Sequence, residues 1–145
     1  MRVAREIVDA AFKVHTTLGP GLLESVYETV LSYELEKRSL TIVRQKALPV
    51  IYEEVKIDEG YRADLIVNDK VIVELKSVEV IAPVHKKQLL TYLRLTNKKL
   101  GLLINFSSAR IKDGMKTNSI LSSSATLRLG AFACPPTRIL LGRRA

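Results

Sequence analysis

Three charged residues lie inside two apolar stretches of the sequence, "YRADLIV" (residues 61–67) and "VIVELKS" (residues 71–77). They are Asp64 in the first stretch and Glu74 and Lys76 in the second. Charged side chains are rarely buried unless they pair with one another or bind a metal. Two acids and a lysine together can hold a hard cation and assist phosphoryl chemistry beside it.

The loop between the two stretches decides whether the acids meet. Both stretches are typical of strands in a β-hairpin, and alternate residues of a strand share a face. A three-residue loop at 68–70 would place Asp64 directly opposite Glu74, whereas a two-residue loop would place it opposite Val73, on the other face. The metal-site interpretation therefore requires an odd loop or a bulge.

If that requirement is met, the two carboxylates raise each other's pKa unless a cation joins them. Mg²⁺ and Mn²⁺ prefer carboxylate and carbonyl oxygens, and the carbonyl of Leu75 is a natural further ligand. Lys76, on the face of Glu74, could orient or deprotonate a water, or neutralise charge on the transition state. In the alternative interpretation the acids face solvent and Lys76 is an ordinary cross-strand partner, and the pattern alone leaves both open.

Apolar spacing predicts two helices, over residues 3–18 and 22–38, joined by the turn Gly19-Pro20-Gly21. The predicted inward faces are Ile7, Ala11, Val14 and Leu18 in the first helix and Leu23, Val26, Val30 and Leu31 in the second. Glu24 and Tyr27 share a face of the second helix. A glutamate at that position suits the helix dipole, and any further role depends on what the rest of the chain brings to it.

The remaining pattern predicts strands and one more helix. Residues 41–60 are rich in β-branched side chains, with an expected turn at 58–60 and an edge strand or a break at Pro49. After the hairpin, helical spacing returns over residues 84–96, and "KLGLLINF", residues 99–106, is typical of a short buried strand. The predicted order is α, α, β, β, β, α, β.

Bulk composition limits the class of protein. The length of 145 residues predicts one domain, and a single cysteine, Cys134, excludes an intramolecular disulfide. No apolar run is long enough to span a bilayer, so no membrane partner and a cytoplasmic setting are expected. Residues 1–109 hold 16 basic and 14 acidic residues, and residues 110–145 hold 7 and 1, so the net charge of +8 arises mostly in the tail. Residues 119–145 are predicted to be a poorly ordered or loosely docked C-terminal extension.

Several motifs together resemble one family. "GLLESVY" (residues 21–27) matches the motif that names the GxxExxY proteins, and "YRADLIV", "VIVELKS" and "QLLTYLRL" match later blocks of that family in order and spacing. The family is placed in the PD-(D/E)XK nuclease-like superfamily, and the resemblance covers roughly residues 3–118. It implies an α/β (α+β) domain over residues 1–118 with a restriction-endonuclease-like core, a mixed four-stranded sheet flanked by helices.

The resemblance also implies roles for single residues. Asp64 and Glu74 are expected as metal ligands, and Lys76 is expected as the catalytic lysine. Glu24 resembles the helix-borne glutamate that many members add to the site.

Gln88 and Tyr92 resemble the Q-x-x-x-Y motif of helicase-linked nucleases in the same superfamily. They are four residues apart on a helix, so they share a face. They are expected either to orient Lys76 or hold a phosphate, or only to form a buried hydrogen bond that supports the core.

The expected function is therefore a nuclease that uses Mg²⁺ or Mn²⁺ to hydrolyse phosphodiester bonds, those of DNA by analogy with the superfamily. The alternative is a nucleic-acid-binding or protein-interaction module that kept the fold without cutting. A homodimer or a protein partner would supply surface that so small a domain lacks.

Overall fold

The computed structural model describes residues 2–120 of the chain. Three α-helices and five strands are joined by short connections, with one 3₁₀ turn between the last two strands. In chain order they are α1 (Arg2–Leu18), α2 (Glu24–Lys37), β1 (Ile42–Tyr52), β2 (Val55–Val67), β3 (Val71–Lys76), α3 (Pro83–Thr96), β4 (Leu100–Asn105), the 3₁₀ turn (Ile111–Gly114) and β5 (Met115–Ser119). The predicted helices and the second hairpin strand are confirmed to within a few residues, whereas the first hairpin strand begins six residues earlier than predicted, at Val55.

The five strands form one mixed sheet in the order β1-β2-β3-β4-β5. Strands β3 and β4 are parallel and joined through α3, whereas the other three neighbouring pairs are antiparallel. The predicted α+β class, a mixed sheet flanked by helices, is confirmed, but the sheet has five strands rather than four. The fifth strand, Met115–Ser119, carries few apolar side chains and lies at the sheet edge, so no alternating apolar pattern marks it.

Helices cover both faces of the sheet. Helices α1 and α2 lie over one face and α3 over the other, and each interface forms its own apolar core. Leu75 and Val73 of β3 point into the first core, and Ile72 points into the second. Strand β3 is therefore buried on both sides, as its apolar sequence predicts.

The expected turn at residues 58–60 is wrong, because β2 runs straight through it. The turn lies instead at Glu53 and Glu54, between the paired residues Tyr52 and Val55. Gly60 belongs in the strand for a steric reason: a Cβ there would lie 2.6 Å from Cγ2 of Val50. The prediction for Pro49 is confirmed, since β1 is an edge strand and its register shifts between Leu48 and Val50.

The predicted inward face of α2 is partly wrong. Leu31 is buried and Val30 packs against the core, but Leu23 and Val26 are exposed. Tyr27 takes the inward position because its ring stacks on Phe106, with ring centroids 4.4 Å apart. In α1, the predicted residues Ile7, Ala11 and Val14 are buried. The fourth, Leu18, is exposed at the last position of the helix.

Most of the predicted extension, residues 119–145, lies outside the described residues. Ser119 ends β5, and Ile120 donates its amide to the carbonyl of Lys99 over 3.2 Å. The boundary after residue 118 stays a prediction. Within residues 2–120, no helix is both long and apolar enough to cross a lipid bilayer.

Candidate active site

The hairpin of β2 and β3 has the three-residue loop that the metal-site interpretation requires. Val67 pairs with Val71, which leaves Asn68, Asp69 and Lys70 in the loop. Asn68 and Asp69 have φ of 51° and 54°, a left-handed conformation that Asn and Asp adopt more readily than other side chains. The requirement of an odd loop is therefore met.

Asp64 and Glu74 lie together where the backbone pairing of β2 and β3 stops. The last pair of the ladder is Leu65 with Val73, one residue before them. Beyond that pair, backbone amides donate to side-chain carboxylates. The backbone amide of Asp64 donates to Oε2 of Glu74 over 3.0 Å, and the backbone amide of Leu75 donates to Oδ2 of Asp64 over 2.9 Å. Both carboxylates are thus held on one face of the hairpin.

Burial makes this pair electrostatically unfavourable when both acids are charged. Glu74 is 4% exposed, and burial, with the charge of Asp64 second, raises the pKa of Glu74 to about 8. Burial also raises the pKa of Asp64, against the opposing hydrogen bond from Leu75. The half-buried Lys76 lowers both pKa values, but it does not compensate for burial.

The donor set fits a hard divalent cation. Two adjacent carboxylates and the carbonyl of Leu75 are oxygen ligands, and a cation between Asp64 and Glu74 would remove the repulsion that raises their pKa values. Across residues 2–120, no three acidic, histidine or cysteine side chains converge as a ready set of metal ligands. Mg²⁺ commonly uses one or two carboxylates and keeps several waters, so two carboxylates are sufficient for it.

Glu24 reaches the end of β3. Its Oε2 accepts a hydrogen bond from the amide of Ser77 over 3.3 Å, and Oγ of Ser77 donates to the carbonyl of Leu22 over 2.7 Å. The turn and the first residue of α2 are therefore tied to the residue that follows Lys76. The carboxylate of Glu24 is exposed, so it remains open to solvent beside the site.

Tyr27 braces the turn that carries Glu24. Its hydroxyl donates to the carbonyl of Gly19 and accepts from the amide of Leu22 over 3.2 Å. Gly19 and Gly21 have φ of 73° and 106°, values that glycine adopts without steric cost. Glu24 and Tyr27 thus have different roles. Glu24 contacts the end of β3, and Tyr27 holds the turn before α2.

Glu28 is a site residue that the sequence analysis missed. It is 7% exposed, and its Oε2 accepts from Nε of Arg44 over 3.0 Å. Its Oε1 accepts from Nε2 of Gln45 over 2.7 Å, and the same nitrogen lies 3.3 Å from Oδ1 of Asp64. The available signal was position, because Glu28 is one helical turn after Glu24 and shares its face.

Gln88 and Tyr92 line a groove of about 310 Å³ together with residues of β2: Asp58, Gly60, Tyr61 and Arg62. Tyr92 is 3% exposed and meets the ring of Tyr61 edge-on, at 5.3 Å between centroids. Burial, followed by the charge of Glu74, raises the pKa of Tyr92 to about 12. Tyr92 is therefore a neutral phenol whose pKa is influenced by the charges of Glu74 and Asp64. Its expected role toward Lys76 stays a prediction.

Comparison with known proteins identifies the family. A family model described as the PD-(D/E)XK nuclease superfamily matches residues 1–118. No curated protein and no solved structure matches the chain significantly. The matched region holds all three helices and four of the five strands completely, together with the acid pair and Lys76. The chain therefore belongs to the PD-(D/E)XK nuclease superfamily.

Proposed function

We propose that this protein is a nuclease that hydrolyses phosphodiester bonds of DNA with the help of Mg²⁺ or Mn²⁺. The observation that carries the proposal is the pair of half-buried Asp64 and buried Glu74, whose carboxylates accept backbone amide hydrogen bonds at the end of the hairpin, beside Lys76. Superfamily membership supports nuclease chemistry in general. DNA as the substrate, and membership among the GxxExxY proteins, rest on the motifs and on analogy.

Asp64, Glu74 and the carbonyl of Leu75 would hold the ion. A bound divalent ion supplies Lewis acidity and lowers the pKa of water, so that a nucleophile forms at neutral pH. The protein's own contribution is to fix the carboxylates before the substrate arrives. The amides of Asp64 and Leu75 do this by donating to the two side chains.

Lys76 stands on the same face of β3 as Glu74, because alternate residues of a strand share a face. Its ammonium group stabilises the negative charge that develops on the phosphoryl oxygens during attack. Glu24, tied to the amide of Ser77, offers an exposed carboxylate at the same strand end and orients water there. Lys76 and Glu24 therefore act by stabilising charge and by orienting water, and neither forms a covalent intermediate.

Gln88 and Tyr92 would hold a phosphate of the substrate strand in the groove beside the acid pair. The amide of Gln88 and the neutral hydroxyl of Tyr92 are both hydrogen-bond donors, and the exposed Arg62 adds a positive charge to the same groove. A homodimer would place two such sites on opposite strands of a duplex.

The test is cleavage of supercoiled plasmid and of single-stranded DNA with Mg²⁺, with Mn²⁺ or with EDTA. Wild type is compared with Glu74→Ala and Lys76→Ala. Two exposed residues provide matched controls, Glu53→Ala for the acid and Lys70→Ala for the lysine.

Cleavage that requires the metal, is lost in both site variants and persists in both controls would support the proposal. Cleavage that survives Glu74→Ala and Lys76→Ala would place the activity elsewhere or in a contaminant. Absence of cleavage by the wild type, with measurable DNA binding, would favour a non-cleaving nucleic-acid-binding module. Absence of both would favour a protein-interaction module.

A further inference from the structure

Gln45 combines two unusual features in the middle of β1. Its φ is 50°, a left-handed conformation that is uncommon for residues other than Gly, Asn and Asp. Its side-chain amide nitrogen contacts two carboxylates, Oε1 of Glu28 at 2.7 Å and Oδ1 of Asp64 at 3.3 Å. The strained backbone and the double contact therefore occur at one residue, beside the proposed metal ligands.

The strain at Gln45 is not caused by an inserted residue. Arg44 pairs with Leu65 and Lys46 pairs with Ala63, so the register is the same on both sides. Gln45 consequently lies opposite Asp64, with one residue facing one residue. Gln45 is also exposed, so burial of its side chain does not explain why the strain is kept. Such outliers cluster at functional sites, where the surrounding structure maintains them.

The hydrogen bonds at Asp64 account for both of its side-chain oxygens. Oδ2 accepts from the amide of Leu75, and Oδ1 accepts from Gln45. Gln45 is in turn held by Glu28, whose other oxygen is taken by Arg44. The chain of contacts runs from the guanidinium of Arg44 through Glu28 and Gln45 to Asp64. Contacts within the protein therefore fix the orientation of the Asp64 carboxylate.

The neutrality of the amide has a chemical consequence. A lysine or arginine at position 45 would also hold Asp64, but its charge would neutralise the carboxylate and compete with a cation. An amide donates hydrogen bonds while leaving the negative charge of Asp64 available. Ligating groups are commonly oriented by such outer partners, and removal of a partner typically weakens metal binding by about 10- to 100-fold.

On the basis of the proposed function, we propose that Gln45 is a positioning residue that holds the carboxylate of Asp64 in the orientation needed to bind a divalent cation. Its left-handed backbone is what brings the amide between Glu28 and Asp64. Gln45 itself contacts neither the ion nor the substrate.

Glycine at position 45 separates this role from a structural one. Gln45→Gly removes the amide and at the same time relieves the left-handed strain, so the fold is expected to keep its melting temperature within a few degrees. Gln45→Asn is a second variant, since Asn tolerates the same φ but its amide is one methylene too short to reach both carboxylates. Asn97→Gly is the matched control, because Asn97 also carries an amide at a left-handed position, φ 57°, at the end of α3.

The measurement is Mn²⁺ affinity of the full chain by isothermal titration calorimetry, with the melting temperature of the metal-free protein recorded for each variant. Both Gln45 variants are expected to bind Mn²⁺ about 10- to 100-fold more weakly than wild type, while Asn97→Gly binds as wild type does. Unchanged affinity in Gln45→Gly, or an equal loss in Asn97→Gly, would overturn the role of Gln45 and leave the proposed nuclease intact. If the wild type itself binds no Mn²⁺, the proposed function fails and the role of Gln45 fails with it.

Discussion

The amide of Asp64 donates to Oε2 of Glu74 over 3.0 Å, at the point where the backbone ladder between their strands ends. This contact keeps buried Glu74 and half-buried Asp64 on one face, with half-buried Lys76 near them. In the absence of a divalent cation, the favourable way to relieve the repulsion is for the pair to bind a proton. The proton and the cation therefore compete for the same place.

Stability of the metal-free protein is predicted to fall as the pH rises from about 4.5 to about 8. The pKa of Glu74 is raised from its ordinary value of 4.5 to about 8 in the folded state, mainly by burial. Between those values the folded state binds more protons than the unfolded state, so the free energy of unfolding decreases with pH. The loss is expected to be about 2–4 kcal/mol. Urea unfolding in EDTA at a series of pH values measures it.

Two controls isolate Glu74 as the source of that slope. Glu74→Gln keeps the shape of a protonated acid, so its stability should depend less on pH, whereas Glu53→Gln at the exposed turn should keep the wild-type slope. Excess Mn²⁺ at pH 8 is expected to restore stability to the wild type and not to Glu74→Gln. A wild-type stability that is flat between pH 4.5 and 8 would contradict the burial of an ionisable Glu74.

Lys76→Met is predicted to reduce single-turnover cleavage of DNA by about 100-fold or more, because it removes the charge that stabilises the transition state. The methionine keeps most of the apolar stem, so the unfolding free energy should change little. Lys70→Met, in the hairpin loop at the other end of β3, is the matched control and should cut at the wild-type rate. Equal rates for the two variants would remove Lys76 from the mechanism.

The hairpin, and the requirement that its loop places on the two acids, could be predicted because local rules determine them. Alternation fixes which side chains share a face, and the loop length fixes whether Asp64 meets Glu74, so one register observation tests the whole arrangement. The burial of β3 also followed directly from its continuous apolar sequence. These features depend on residues close to one another in the chain.

The missed features depend on contacts that are distant in sequence. Tyr27 turns inward because Phe106 lies beneath it, and that stack exposes Leu23 and Val26. Helical spacing places Glu28 on the face of Glu24, but its contacts with Arg44 and Gln45 depend on the edge strand, which is distant in sequence. The fifth strand likewise forms by pairing with β4 rather than by its own apolar pattern.

The two glutamates of α2 are predicted to respond differently to replacement by glutamine. Glu28→Gln disturbs a buried carboxylate that accepts from Arg44 and Gln45, so the free energy of unfolding should fall by about 1–3 kcal/mol. Glu24→Gln alters an exposed side chain and should change stability by less than about 0.5 kcal/mol, while slowing cleavage. Urea unfolding and single-turnover cleavage of both variants check this. A stability loss in Glu24→Gln as large as that in Glu28→Gln would mean that Glu24 serves the fold rather than the site.

The hydroxyl of Tyr27 is predicted to hold the turn that precedes α2. Tyr27→Phe keeps the ring stacked on Phe106 but removes the bonds to Gly19 and Leu22, so the free energy of unfolding should fall by about 1–2 kcal/mol. Hydrogen exchange at the Leu22 amide should become faster, because that amide loses its acceptor.

The matched control for Tyr27→Phe is Tyr33→Phe, which alters an exposed tyrosine of the same helix and should leave both measurements unchanged. Because the turn carries Glu24, Tyr27→Phe should also slow cleavage to about the rate of Glu24→Gln. A loss of stability without faster exchange at Leu22 would mean that the hydroxyl supports the core alone. The rigid turn would then aim Glu24 through its glycine conformations, without help from Tyr27.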